Sequence, residues 1–129
     1  MPRQSTPRPT DFELNILRVL WRRGPSTVRE VYETLNKKRP TGYTTVLKMM
    51  QIMTEKGLVE RDEEQRAHVY KARLPQEQTQ QLLIGDLLER AFDGSAKKLV
   101  LQALSAKKAS AKDLTEIREM LDKFERGEK

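Results

Sequence analysis

The stretch GYTTVLKMMQIMTEKGLVERDEEQRAHVYKA, Gly42 to Ala72, decides the fold. Its first half carries the three-and-four spacing of a helix. Val46, Met50 and Met53 form an inner stripe with Leu47 beside it, and Gly57 stands where a helix from about Tyr43 to Lys56 needs its C-terminal cap. The second half changes period. Leu58 to Arg61 and Ala67 to Ala72 read as two strands of a ribbon joined by the polar tip Asp62-Glu63-Glu64-Gln65-Arg66. With the stripe turned toward a core, Thr44, Thr45, Lys48, Gln51 and Glu55 fall on the opposite face of the helix.

Working upstream, Thr27 and Glu30 make a capping box that opens a helix with Val28, Val31, Tyr32 and Leu35 on one face, ending near Lys37-Lys38-Arg39-Pro40. Before it, Thr10 and Glu13 make another capping box. The helix it opens carries Phe12, Leu14, Ile16, Leu17, Val19, Leu20 and Trp21, apolar on most faces and therefore buried, and Gly24-Pro25 ends it. Helix, helix, helix, hairpin is the order of a winged helix-turn-helix, in which the third helix enters a major groove and the hairpin flanks it. Residues 1–9, with Pro2, Pro7, Pro9, Arg3 and Arg8, resist regular structure and read as a flexible basic arm.

Downstream of Pro75 the pattern is helical, with a stripe at Leu83, Leu87, Leu88 and Phe92 closed by Asp93-Gly94. A short helix with Ala96, Leu99, Val100, Ala103 and Leu104 follows. Ser110 with Asp113 then caps a last helix bearing Leu114, Ile117, Leu121 and Phe124 at coiled-coil-like spacing. So short a helical segment buries little by itself, and a second copy would supply the missing wall. The expected fold is mainly α with a small β-hairpin wing. It divides into the arm at 1–9, a winged-helix DNA-binding domain at 10–74 and a helical dimerisation region at 75–129.

Composition narrows the function. The 129 residues contain one histidine, His68, no cysteine and no glycine-rich phosphate loop, which leaves an enzyme without its usual groups. No metal site and no cofactor are expected. Asp62, Glu63 and Glu64 read as a solvated turn, and His68 as a hydrogen-bonded residue of the second wing strand. The longest apolar runs, such as Val19 to Trp21 and Leu99 to Leu101, span three residues, whereas a bilayer crossing takes roughly 20. The start, MPRQSTPRPT, lacks the apolar segment of a secretory signal, so a cytoplasmic protein without membrane insertion is expected.

The formal net charge is +6, and it is unevenly placed. Residues 1–74 hold 15 Lys and Arg against 9 Asp and Glu, while residues 75–129 hold 10 against 10. A basic module joined to a neutral one is the footprint of a polyanion binder. Within it, Lys48 can donate to guanine O6 and N7, Gln51 can pair with adenine N6 and N7, and Thr44 or Thr45 can pack a methyl on thymine. Phosphates would meet Arg22 and Arg23, the backbone N–H groups opening the second helix, Lys37 to Arg39, and Arg66 on the wing.

ILRVLWRRGPSTVREVYETL, Ile16 to Leu35, together with Gly42 to Ala72, resembles the penicillinase-repressor and methicillin-resistance-repressor family, which also includes copper-responsive repressors. The LW..GP.TVREV, YTTV and R.HVY motifs carry the likeness over about residues 10–74. Beyond Pro75 the similarity is mainly architectural. The resemblance implies a homodimer whose paired winged helices each read half of an inverted-repeat operator, with Tyr43, Thr44, Thr45 and Lys48 at the start of the recognition helix. Members of the family often carry arginine where this chain has Ile52. Copper-responsive members use C-terminal Cys-x-Cys motifs, which a chain without cysteine does not have. In the β-lactam branch a membrane sensor protease cuts an Asn-Phe bond. The aligned stretch here is Leu99 to Leu104, with Gln102-Ala103 at the place of the cut.

The expectation is a dimeric repressor that acts by occupying its operator, relieved by proteolysis or by disruption of the C-terminal dimer. A protein-interaction adaptor built on a winged-helix surface and an activator of the same fold are the alternatives. Steep salt dependence on duplex DNA separates the first, and operator position separates the second.

Overall fold

The computed structural model describes residues 8–64 and 66–127, so the expected arm at 1–9 lies, apart from Arg8 and Pro9, outside the described residues. Three helices come first: α1 (Asp11–Arg23), α2 (Val28–Lys38) and α3 (Tyr43–Lys56). Strand β1 (Ser26–Thr27) lies between α1 and α2, and β2 (Val59–Asp62) and β3 (Val69–Ala72) form the wing. Three more helices follow: α4 (Gln76–Ala91), α5 (Ala96–Ala106) and α6 (Ala111–Glu125). The fold is mainly helical with a small antiparallel sheet, as the sequence implies.

Local chemistry sets the helix ends. At α1 the Glu13 N–H donates to Thr10 Oγ1 at 3.2 Å while the Thr10 N–H donates to Glu13 Oε1 at 2.8 Å. Thr27 and Glu30 repeat the exchange at α2, at 3.1 and 2.9 Å. Each box satisfies two N–H groups that a helix start would otherwise leave without partners. Helix α3 stops because Gly57 turns left-handed at φ +84°, which lets the Leu58 N–H reach Met53 O at 2.9 Å. The chain thereby reverses directly into β2.

The sheet order is β1-β3-β2, antiparallel throughout, with Ser26 opposite Tyr70 on one side of β3 and Arg61 opposite Tyr70 on the other. The sequence suggested only the β2–β3 ribbon, with strands at 58–61 and 67–72. The ribbon is shifted by one residue at β2, shorter at β3, and joined by β1. His68 sits ahead of β3 and is exposed, rather than lying within the strand.

The core of the N-terminal unit collects Ile16, Leu17 and Leu20 of α1, Val31 of α2, and Val46, Met50 and Met53 of α3. These meet Leu58, Val59 and Tyr70 at the base of the wing. Two polar tethers add to this packing. Trp21 Nε1 donates to Leu74 O at 3.0 Å, fastening α1 to the segment after β3. Lys56 Nζ donates to Glu13 Oε2 at 2.8 Å, fastening the end of α3 to the start of α1. Glu13 is buried, and such a carboxylate is tolerable only with its charge and lone pairs answered. Burial works against its ionisation, but Lys56 and the Thr10 N–H outweigh it and hold the carboxyl below its ordinary value.

The chain divides into two compact units, one running to Ile84 and one from Gly85, so the division falls inside α4. In the second unit Asp93 and Gly94 both take positive φ and close α4, and Ser110 Oγ accepts from the Asp113 N–H at 3.0 Å to start α6. Helices α5 and α6 bury no residue. None of the helices among the described residues is long and apolar enough to cross a membrane.

Candidate nucleic-acid interface

Helix α3 is aimed by what it buries. Val46, Met50 and Met53 are fully inaccessible, and Lys56 is tied to Glu13, so both the rotation and the far end of the helix are set by the core. The remaining face is exposed along its length, and it brings Thr44, Thr45, Lys48, Gln51 and Glu55 together in one row. Ile52 lies at the margin, half-buried. Gly42, the N-cap, has no side chain with which to cap, so no side chain answers the first amides of α3.

Tyr43 is held apart from that row. Its ring meets Tyr32 edge-on at 5.5 Å, and the Arg29 guanidinium lies 5.3 Å from its centre. Both partners belong to α2, so these contacts set the angle between α2 and α3 from the outside, as the core does from the inside. The α2–α3 connection is itself ordered. The Thr41 N–H donates to Asn36 Oδ1 at 2.9 Å, and the Thr41 hydroxyl donates to Arg39 O at 2.8 Å. Asn36 and Thr41 were not singled out from the sequence. Their Asx-type bonding gives no periodic signal, and only the fold brings the two residues together.

The cations expected to meet phosphates divide into two sets. Arg22, Lys37, Lys38, Arg39 and Arg66 are exposed, the last in the bend between β2 and β3. Arg23 is engaged elsewhere: its Nε donates to Ser26 Oγ at 3.4 Å and it pairs with Glu30 at 3.4 Å. The α2 start is also a poorer anion site than expected, since the capping box consumes two of its amides and sets the Glu30 carboxylate there. On the wing, Arg61 is held above its ordinary value by the Tyr70 hydroxyl and by Glu63, to which it is paired. That engagement leaves Arg66 as the wing cation without a side-chain partner among the described residues.

In the tip, Asp62 Oδ1 accepts from the Glu64 N–H at 3.0 Å, which is turn chemistry. Among the described residues no three His, Asp or Glu side chains converge as a metal site.

The residues expected at a dimer contact remain partly or wholly uncovered. Leu83, Leu88, Phe92, Leu114 and Ile117 are half-buried, while Leu87, Leu121 and Phe124 are exposed at 42%, 57% and 70%. Val100, Leu101, Leu104 and Met120 are exposed as well, and of these Leu101 and Met120 lie outside the stripes read from the sequence. Gln102 and Ala103 lie in the middle of α5, both exposed.

Known proteins are similar to this chain in sequence and in fold. A family profile described as "Penicillinase repressor" matches residues 9–123. The "Transcriptional regulator BlaI" of Mycobacterium tuberculosis is 34% identical over 92 residues, spanning 70% of this chain and 67% of that one. The "Penicillinase repressor" of Bacillus licheniformis is 23% identical over 123 residues, 95% of this chain and 96% of that one. Among solved structures, the DNA-binding domain of the repressor BlaI superposes with a TM-score of 0.51 at 24% identity, covering 57% of this chain and 90% of that one.

Proposed function

The chain belongs to the penicillinase-repressor family, and from that premise we propose that it is a cytoplasmic transcriptional repressor that binds an inverted-repeat operator as a homodimer. It acts by occupancy and carries out no catalysis. The observation that carries this is the exposed row Thr44, Thr45, Lys48 and Gln51, set by a core-locked helix within the part of the chain that holds the whole basic excess. Tyr43 orients that helix, and Arg66 on the wing meets a phosphate. The organisation is a DNA-reading domain at 10–74 followed by a dimerisation region at 75–129.

No residue of α5 or α6 is fully buried, so their apolar side chains gain from a partner surface, and a two-fold copy supplies the same surface in return. Linking two DNA-reading heads raises the effective concentration of the second contact to around millimolar. Release then follows from separating the heads. A membrane sensor protease that cuts at Gln102–Ala103 would sever α6 and part of α5, dispersing the dimer without touching α3.

The experiment is selection of bound fragments from genomic DNA, followed by salt titration on the recovered site. The expected result is an inverted repeat with half-sites spaced by about one helical turn, and an affinity that falls steeply with salt. Equal affinity for random duplex, or no salt dependence, would overturn the proposal and favour an interaction adaptor.

A further inference from the structure

A groove of about 680 Å³ opens between α1 and the end of α2, and runs to the start of α3. That is the size of cleft that takes a small organic molecule. Its walls are cationic: Arg18 and Arg22 stand one turn apart on α1, and Lys38 at the end of α2 and Arg39 just after it line the groove with them, Asp11 being the one carboxylate among the described lining residues. Among the described residues of this unit, Arg23, Arg29, Lys56, Arg61 and Lys71 are each matched to a glutamate. Among the described residues, no carboxylate is paired with a groove cation. Arg18 makes a 3.4 Å bond to the neutral Asn15, which also lines the groove.

The floor is of a different character. Phe12, Val19 and Leu35 line it, and apolar side chains offer nothing to a hydrated phosphate group. Unanswered cations at the rim over an apolar floor are complementary to a molecule with a charged end and an apolar body. The groove also reaches Gly42 and Thr45, and Thr45 belongs to the exposed row of α3.

We propose that this groove binds an organic dianion with an apolar body, a dicarboxylate or a phosphomonoester, and that occupancy weakens operator binding by competing for Thr45 and the surrounding cations. The coupling rests on α3 being the DNA-reading helix. Linkage makes it reciprocal, so operator DNA weakens the anion by the same factor.

The test uses 1-naphthyl phosphate as the probe, titrated by calorimetry into the full chain without DNA, with inorganic phosphate in parallel. The probe is expected to bind about tenfold or more tightly than inorganic phosphate. Arg18→Gln combined with Lys38→Gln should weaken it by about a hundredfold, since each of the two lost charge-assisted bonds is worth about tenfold. Saturating probe should raise the operator Kd. Equal binding of inorganic phosphate, an unaffected double variant, or bound probe with unchanged operator affinity would each overturn the proposal. So would a wild type that does not take up the probe while the double variant lowers the salt slope of operator binding by about two, because the cations would then be duplex phosphate contacts. A wild type that takes up the probe and ignores duplex DNA instead overturns the reading of α3, so the two failures are distinguishable.

Discussion

Replacing Leu121 and Phe124 together by Asp is expected to dissolve the dimer and, through it, operator binding. The two side chains lie one turn apart on α6 and are exposed at 57% and 70% in the single chain. Fully burying a Leu or Phe side chain contributes about 1.5 to 3 kcal/mol, so covering the exposed fractions of both is worth roughly 3 kcal/mol per chain. A two-fold interface counts each twice, giving roughly 6 kcal/mol, or about four orders of magnitude in Kd. Aspartate at both positions adds the cost of moving charge toward an apolar surface. Sedimentation velocity at micromolar concentration should show a monomer where the wild type is a dimer. Fluorescence anisotropy on the operator should show affinity near that of a single half-site. Because neither side chain belongs to the core of the N-terminal unit, the thermal melting of that unit should be unchanged. A double variant that still sediments as a dimer would refute the placement of the interface on α6.

Lys48→Ala should cost about 1 to 3 kcal/mol of operator affinity and relax base preference at one position per half-site, measured by binding to a panel of single-base operator variants; equal loss on random DNA would argue against base readout. Arg66→Ala should lower affinity uniformly and reduce the salt slope by about one, read from titrations at several ionic strengths. Lys56→Met should destabilise the N-terminal unit by about 1 to 3 kcal/mol at neutral pH in urea denaturation, because it leaves the Glu13 carboxylate buried without its cation. In the wild type the Glu13 carboxyl is depressed, so its stabilisation is present at neutral pH and lost as pH falls through the folded value. In the variant, protonation of Glu13 removes the uncompensated charge, so the deficit should shrink as pH falls toward about 4. A deficit that does not vary with pH would show that Lys56 acts only through its packing.

Much of the fold was legible because the signals involved are local. The two capping boxes, the left-handed Gly57 and the Val46, Met50, Met53 stripe each concern residues within a turn of one another, and all are present in the structure as the spacing implied. The exposed row on α3 follows from the stripe by helical geometry alone. Strand β1 was missed because two residues carry no alternation, and Ser26-Thr27 becomes a strand only by pairing with Val69-Tyr70 more than forty positions away. Arg23 was expected to be available to phosphate, yet the folded chain gives it to Ser26 and Glu30. Glu13 stood out only as a capping residue, and its second role appears once α3 brings Lys56 beside it.

The order of the elements, the basic excess and the face of α3 turned outward were all present in the linear chain, since charge counts and helical periods need no knowledge of the rest of the molecule. Which cations remain unanswered, how Tyr43 is pinned by Tyr32 and Arg29, and that Arg18, Arg22, Lys38 and Arg39 share one groove were decided only by tertiary structure. The physical reason is range: a cap or a stripe is settled within a few residues, whereas the partner of a charge depends on which distant segments the core draws together.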